Sequence, residues 1–184
     1  MTLTALGVVG CSSDGDTTET GGAITVATID ESASPDSSAT APTLTGTQIC
    51  ERLSVSSVAA DLGIDVVTAE AADTGTPQCA YGYVNDTGVM SNLTVAAMRP
   101  VDVGGTTGAD AFEYVLSINR GIGGDDVEEQ EIDAGDGAVR LSGASLHLGV
   151  VRVGDHVYTL IVPVGDAEID AVDHLIATMA TTLS

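Results

Sequence analysis

The sequence predicts an α+β domain, an antiparallel sheet with helices packed on one face, preceded by a disordered N-terminal tether. Hydrophobic periodicity orders the elements as α-α-β-β-β-α-β-β-β-β-α. The last strands follow one another through short turns, which favours antiparallel pairing with the helices as a covering layer. Ahead of this pattern, residues 12–46 hold six acids, no base and few large apolar side chains. Such a stretch buries too little to offset the entropy of ordering it.

Taken in order, Gln48–Leu53 reads as a short helical turn. Ser54 then caps a second helix, Val55–Leu62, in which Val58 and Leu62 lie one turn apart. Gly63 suits the left-handed residue that closes it. Val66–Ala71 reads as a strand. Gln78–Val84 sets Cys79, Tyr81 and Tyr83 against Ala80, Gly82 and Val84, the alternation of a two-faced strand. Leu93–Met98 is the third strand, stopped by Pro100. A loop rich in Gly and Thr leads to a helix over Asp110–Asn119 with Phe112, Val115 and Leu116 on one stripe. The strands Val127–Asp133, Ala138–Leu141 and Leu146–Val153 follow. Gly154-Asp155 makes a two-residue turn into His156–Val164. The closing helix spans Asp166–Leu183, with Asp166 as its cap and Ile169, Val172, Ile176, Met179 and Leu183 along one face.

Charge narrows the function classes. The chain carries 27 acids, five arginines and no lysine, for a formal charge of −22. That balance repels phosphate backbones and excludes nucleic-acid binding as an expectation. It opposes direct docking on anionic lipid headgroups as well. A solvated acidic surface accounts for the charge, and a cationic ligand is the alternative. Aromatic residues make up 3% of the chain and Trp is absent, so Val, Ile, Leu and Ala must fill the core. No apolar run approaches the roughly 18 residues that spanning a bilayer needs.

The N-terminus carries an address. Residues 1–10 are apolar or small, and Val8-Val9-Gly10-Cys11 resembles the lipobox of bacterial lipoproteins. The resemblance implies diacylglycerol on the Cys11 sulfur, cleavage before Cys11 and acylation of the new N-terminus. Residues 1–10 hold no Lys or Arg, which departs from the pattern and implies that Met1 lies inside a longer signal peptide. The expected organisation is a signal remnant and lipobox over 1–11, a tether over 12–46 and one domain over 47–184. A flexible tether of 35 residues has an r.m.s. span of about 30–35 Å, enough to clear the headgroups. The short β-prone run Ala23–Ile29 interrupts it.

Cys50 and Cys79 remain. In an exported chain a pair reads as a disulfide, here tying the first helix to the second strand. A metal pair would need further ligands, and a redox couple usually holds its cysteines close in sequence. The stretch Ile49–Gly63, the segment Gln78-Cys79-Ala80-Tyr81, the turn Asp133–Ala138 and the Ala/Ile-rich last helix together resemble an actinobacterial lipoprotein family of unknown function. In that family a Cys-x-Trp strand stands where this chain has Cys79-Ala80-Tyr81. The resemblance implies a fold akin to the PsbP-like group, a lipid anchor and a Cys50–Cys79 bridge, and it transfers no catalytic residue.

Chemistry is sparse. His156 follows a turn and is expected to be exposed. His174 is expected to pair with Asp170 one turn earlier on an exposed helix face. His147 reads as a half-buried sheet residue. No Gly-x-Ser-x-Gly elbow is present, and Gly121-Ile-Gly-Gly124 lacks the lysine of a phosphate loop. Glu129, Glu131 and Asp133 share one strand face, the pattern of a charged edge strand, with loose Ca²⁺ binding as the alternative. The expectation is therefore a non-enzymatic, membrane-anchored, extracytoplasmic domain at the outer face of the cytoplasmic membrane. It would bind an envelope protein or a small ligand, with no cofactor and no metal. One alternative is a carrier of an apolar molecule, with a cavity lined by Met90, Met98, Met179, Tyr81 and Tyr83. A second is an enzyme with a dispersed site in which His147 or His156 meets a carboxylate.

Overall fold

A computed structural model describes residues 43–123 and 126–184. Cys11, residues 12–42 of the proposed tether, Gly124 and Asp125 lie outside the described residues. Residues 43–46, expected in the tether, belong to the domain, because Leu44 is buried in the core and Thr45 caps the first helix. Four helices and seven strands appear in the predicted order: α1 (Gly46–Arg52), α2 (Val55–Leu62), β1 (Val66–Ala72), β2 (Gln78–Val84), β3 (Met90–Met98), α3 (Gly108–Gly123), β4 (Glu128–Ile132), β5 (Gly137–Ser142), β6 (Leu146–Val153), β7 (His156–Pro163) and α4 (Ile169–Thr182). The strands form one sheet in the order β1-β2-β3-β7-β6-β5-β4, with every described pairing antiparallel. No helix among the described residues is long and apolar enough to cross a membrane.

Local chemistry explains the helix ends. Thr45 and Gln48 form a reciprocal capping box at the start of α1. The Ser54 hydroxyl accepts from the Ser57 amide at the start of α2. Gly63 ends α2 at φ 67°, a conformation that costs a residue with a Cβ atom but not glycine. Several boundaries differ from expectation, among them the starts of β3 at Met90, α3 at Gly108 and α4 at Ile169. Pro100 begins a 3-10 turn over Pro100–Val103 as well as ending β3, as its fixed φ permits at a first helical position. Asp166 does not cap α4, which begins at Ile169 with Glu168 before it. The Asp166 carboxylate instead accepts from Tyr83 Oη (2.6 Å), Ser91 Oγ (2.7 Å) and Asn85 Nδ2 (3.3 Å), and so ties the β2–β3 hairpin to the α4 approach.

The helices do not all share a face. One face of the sheet packs against α1, α2 and α4 through Tyr81, Val95, Tyr158, Leu160, Ile176 and Met179, all essentially inaccessible to solvent. Helix α3 lies on the opposite face, where Phe112, Val115 and Leu116 cover Leu141, Leu148 and Val150. The cause is in the strands: β5, β6 and β7 present apolar side chains on both faces, so one layer cannot shield them. Burying each such side chain contributes about 1.5–3 kcal/mol. Gly149 sets how closely α4 approaches. A Cβ there would stand 2.7 Å from Ile176 Cγ1, so a side chain at this position would displace Ile176 from its seat on β6. Strand β4 is a sheet edge with Glu128, Glu129 and Glu131 exposed, which matches the charged-edge reading of the acidic run.

Candidate functional site

Cys50 on α1 and Cys79 on β2 are joined by a disulfide, with Cα atoms 5.4 Å apart. The bridge fastens the first helix to the second strand, the pairing expected from the sequence.

The three histidines differ from their sequence expectations in different ways. His174 is exposed, but its Nε2 lies 3.4 Å from Asp61 Oδ1 on α2, not beside Asp170. Packing of α2 against α4 brings that acid into reach. His156 is buried, at 9% exposure, because it stands on the helix-covered face at the start of β7. Its ring stacks on Tyr158 with centroids 6.4 Å apart. The segment Thr43–Thr45 lies close by, and His156 Nε2 has no hydrogen-bond partner among the described residues. His147 is buried more deeply than expected, at 7% exposure. By register it pairs with Val162, six residues along β7 from His156, so the two rings are about 20 Å apart.

His147 belongs to a polar cluster beneath α4. Arg140 Nε donates to Asp173 Oδ1 at 2.6 Å. Its Nη1 donates to Ser142 Oγ, and Ser142 Oγ lies 3.0 Å from His147 Nδ1. Arginine can only donate, so Ser142 Oγ accepts from Arg140 and keeps its own proton to offer His147. In the neutral tautomer with Nδ1 unprotonated, the chain of bonds runs from guanidinium to hydroxyl to imidazole. Desolvation, then the Arg140 charge, depress the His147 pKa below 6.5, while Asp173 and Glu128 oppose the shift. Ser142 is buried between two partners, which suits an anchor of α4 on β5 and β6. The cluster escaped sequence reading because Ser142 and His147 meet only through the β5–β6 register.

A pH dependence follows. The folded-state pKa lies below the unfolded value, so the stabilisation is complete above pH 6.5 and is lost as pH falls from 6.5 toward the folded pKa. Urea midpoints measured between pH 7 and 5 should fall in the native chain. They should fall less in His147→Gln, whose amide oxygen still accepts from Ser142. Parallel profiles would show that His147 does not contribute.

Elsewhere on the surface, Arg120 grips Glu129 through Nε (2.7 Å) and Nη2 (2.6 Å), which neutralises part of the acidic edge. The residues proposed to line an apolar carrier cavity are dispersed. Tyr81, Tyr83 and Met179 are packed in the core and Met90 is 59% exposed. Tyr81 Oη donates to the Leu53 carbonyl at 2.6 Å, and burial raises its phenol pKa well above the usual value.

Two open grooves flank the incoming segment Thr43–Thr45, which is a wall of both. One, of about 580 Å³, has Asp73, Arg99, Pro100 and Asp155 on its sides. The other, of about 550 Å³, has Arg52, His156, Tyr158 and Leu183. Volumes of this size suit small-molecule binding. Tyr158 Oη, on the second groove, donates to the Leu183 carbonyl at 3.1 Å. Comparison with protein families, curated proteins and solved structures finds no match to this chain.

Proposed function

We propose that this chain is a bacterial lipoprotein, anchored through lipid on Cys11 to the outer face of the cytoplasmic membrane, whose α+β domain binds a small ligand without transforming it. The observation that carries the binding reading is the groove beside Thr43–Thr45. There the side chain of His156 is nine-tenths buried and keeps an unpartnered Nε2, and Thr43 Oγ1 is likewise buried and unpartnered among the described residues. Buried polar atoms normally find partners, so two on one groove point to a ligand that supplies them. The disulfide supports export, since such bonds persist in oxidising compartments.

Native mass spectrometry of protein purified from its own host tests both halves. The expected species starts at Cys11, carries acyl mass and retains a non-covalent adduct that is lost in His156→Phe. A chain that keeps residues 1–10 without acyl mass overturns the anchor. A species with no adduct, or one that His156→Phe leaves in place, overturns the groove.

A further inference from the structure

We propose that the sheet face opposite His156 carries a docking strip, beside α3, for a cationic amphipathic helix of a partner protein. Strand register places the strip. Ala80 and Gly82 of β2 pair with Thr94 and Asn92 of β3, and Thr94 pairs with Ile161 of β7. Ile161 in turn pairs with Leu148, which α3 covers. Directly paired residues share a face, so all of these side chains stand on the α3 side of the sheet. Helix α3 packs on β6 and β7 and makes no comparable contact with β2 or β3. The Arg120–Glu129 ion pair turns one flank of α3 toward the β4 edge. Ile118 lies two residues from Arg120, about 200° round the helix, and Tyr114 is one turn before Ile118. Both therefore border the open strip.

The strip is apolar where solvent reaches it. Val84, Met90, Tyr114, Ile118, Leu146 and Ile161 on this face are 41–59% exposed. Exposed apolar side chains gathered on one face mark an interaction surface, as scattered ones do not. Ala80 and Gly82 keep the floor low, and a Cβ on Gly82 would stand 2.5 Å from Thr68 Oγ1. Three strands span about 14 Å, which admits a helix of about 10–12 Å diameter. Charge sets the sign of the partner. Glu70 pairs with Ala80 and is exposed on the same face, and Asp110 lies one turn before Tyr114 on the same flank of α3. None of the five arginines occupies these strand positions, and the chain has no lysine. A second copy would bring its own formal charge of −22 against this rim, whereas lysines or arginines beside an apolar stripe would meet the acids.

The test is a ¹H–¹⁵N NMR titration of the whole chain with a synthetic helical peptide of Leu and Lys, about 18 residues and roughly 27 Å long, its leucines at i, i+3, i+4 and i+7. The Gly82, Thr94 and Ile161 amides should shift along one saturable curve. Met90→Arg and Ile161→Arg, both at exposed positions, should each weaken binding by about tenfold, through a lost apolar contact and repulsion of the lysines. A peptide of the same composition with its leucines scattered should bind about tenfold more weakly, and one with Glu for Lys should leave the three amides unmoved. Equal binding of either control peptide, unchanged affinity in either variant, or no shift with the helical peptide overturns the proposal. So does sedimentation of the free chain as a dimer that Met90→Arg dissociates, because the occupant is then a second copy. Nuclear Overhauser contacts from residues 1–42 to the Met90 and Ile161 methyl groups in the free chain overturn it as well, because the strip is then filled from within.

Discussion

Reducing the Cys50–Cys79 bridge is expected to lower the unfolding free energy by about 3–4 kcal/mol, the loop-closure entropy of a 29-residue separation. For a chain of this size that corresponds to a melting temperature roughly 10 °C lower. The effect is large because Cys79 is fully buried between α1 and the sheet, and α1 has only two turns with which to hold its place. Urea unfolding of oxidised and reduced protein under otherwise equal conditions measures it. The oxidised form should also show a smaller dependence on denaturant, since its unfolded chain stays looped. Coincident curves would mean that packing of Ile49 and Leu53 alone secures the helix.

Removing the partner of Arg140 should have a similar effect for a different reason. Arg140 is 4% exposed, and the Asp173 side chain is 28% exposed. Asp173→Ala leaves a buried guanidinium without its counter-charge, expected to cost about 3 kcal/mol, the lower end for a broken buried pair because Asp173 still meets solvent and Ser142 still accepts from Arg140. Replacing both, with Arg140→Met and Asp173→Leu, should recover most of that loss, since the desolvation penalty disappears with the charge. A double-mutant cycle by chemical denaturation separates the two contributions. Equal destabilisation by the single and double variants would place the cost in lost packing, not in the stranded charge.

Much of the fold was legible because its signals are local. Ser54 and Gly63 bracket α2 at the positions where a hydroxyl can cap and a left-handed residue can close, and the helix spans Val55–Leu62 as read. Gly154-Asp155 joins β6 and β7 because a tight turn between two apolar alternating runs has few other solutions. The limits of β3 were read late. Met90, Ser91 and Asn92 look like loop, yet they pair with Val84, Tyr83 and Gly82. Met90 and Asn92 are exposed, and Ser91 turns to Asp166, so the start of β3 carries no apolar alternation to reveal it.

Cys50 and Cys79 were readable as a pair from sequence because they are the two cysteines outside the proposed lipobox. The sequence by itself determined the element order, the antiparallel sheet, the acidic edge and that pairing, since each depends on residues within one element or on a count. Only the tertiary structure decided which side of the sheet α3 would take, that Asp166 serves a hairpin instead of a helix end, and that His156 is buried. Those outcomes depend on cross-strand register and on which layer reaches a given face. Register is a relation between segments tens of residues apart, and no local periodicity encodes it.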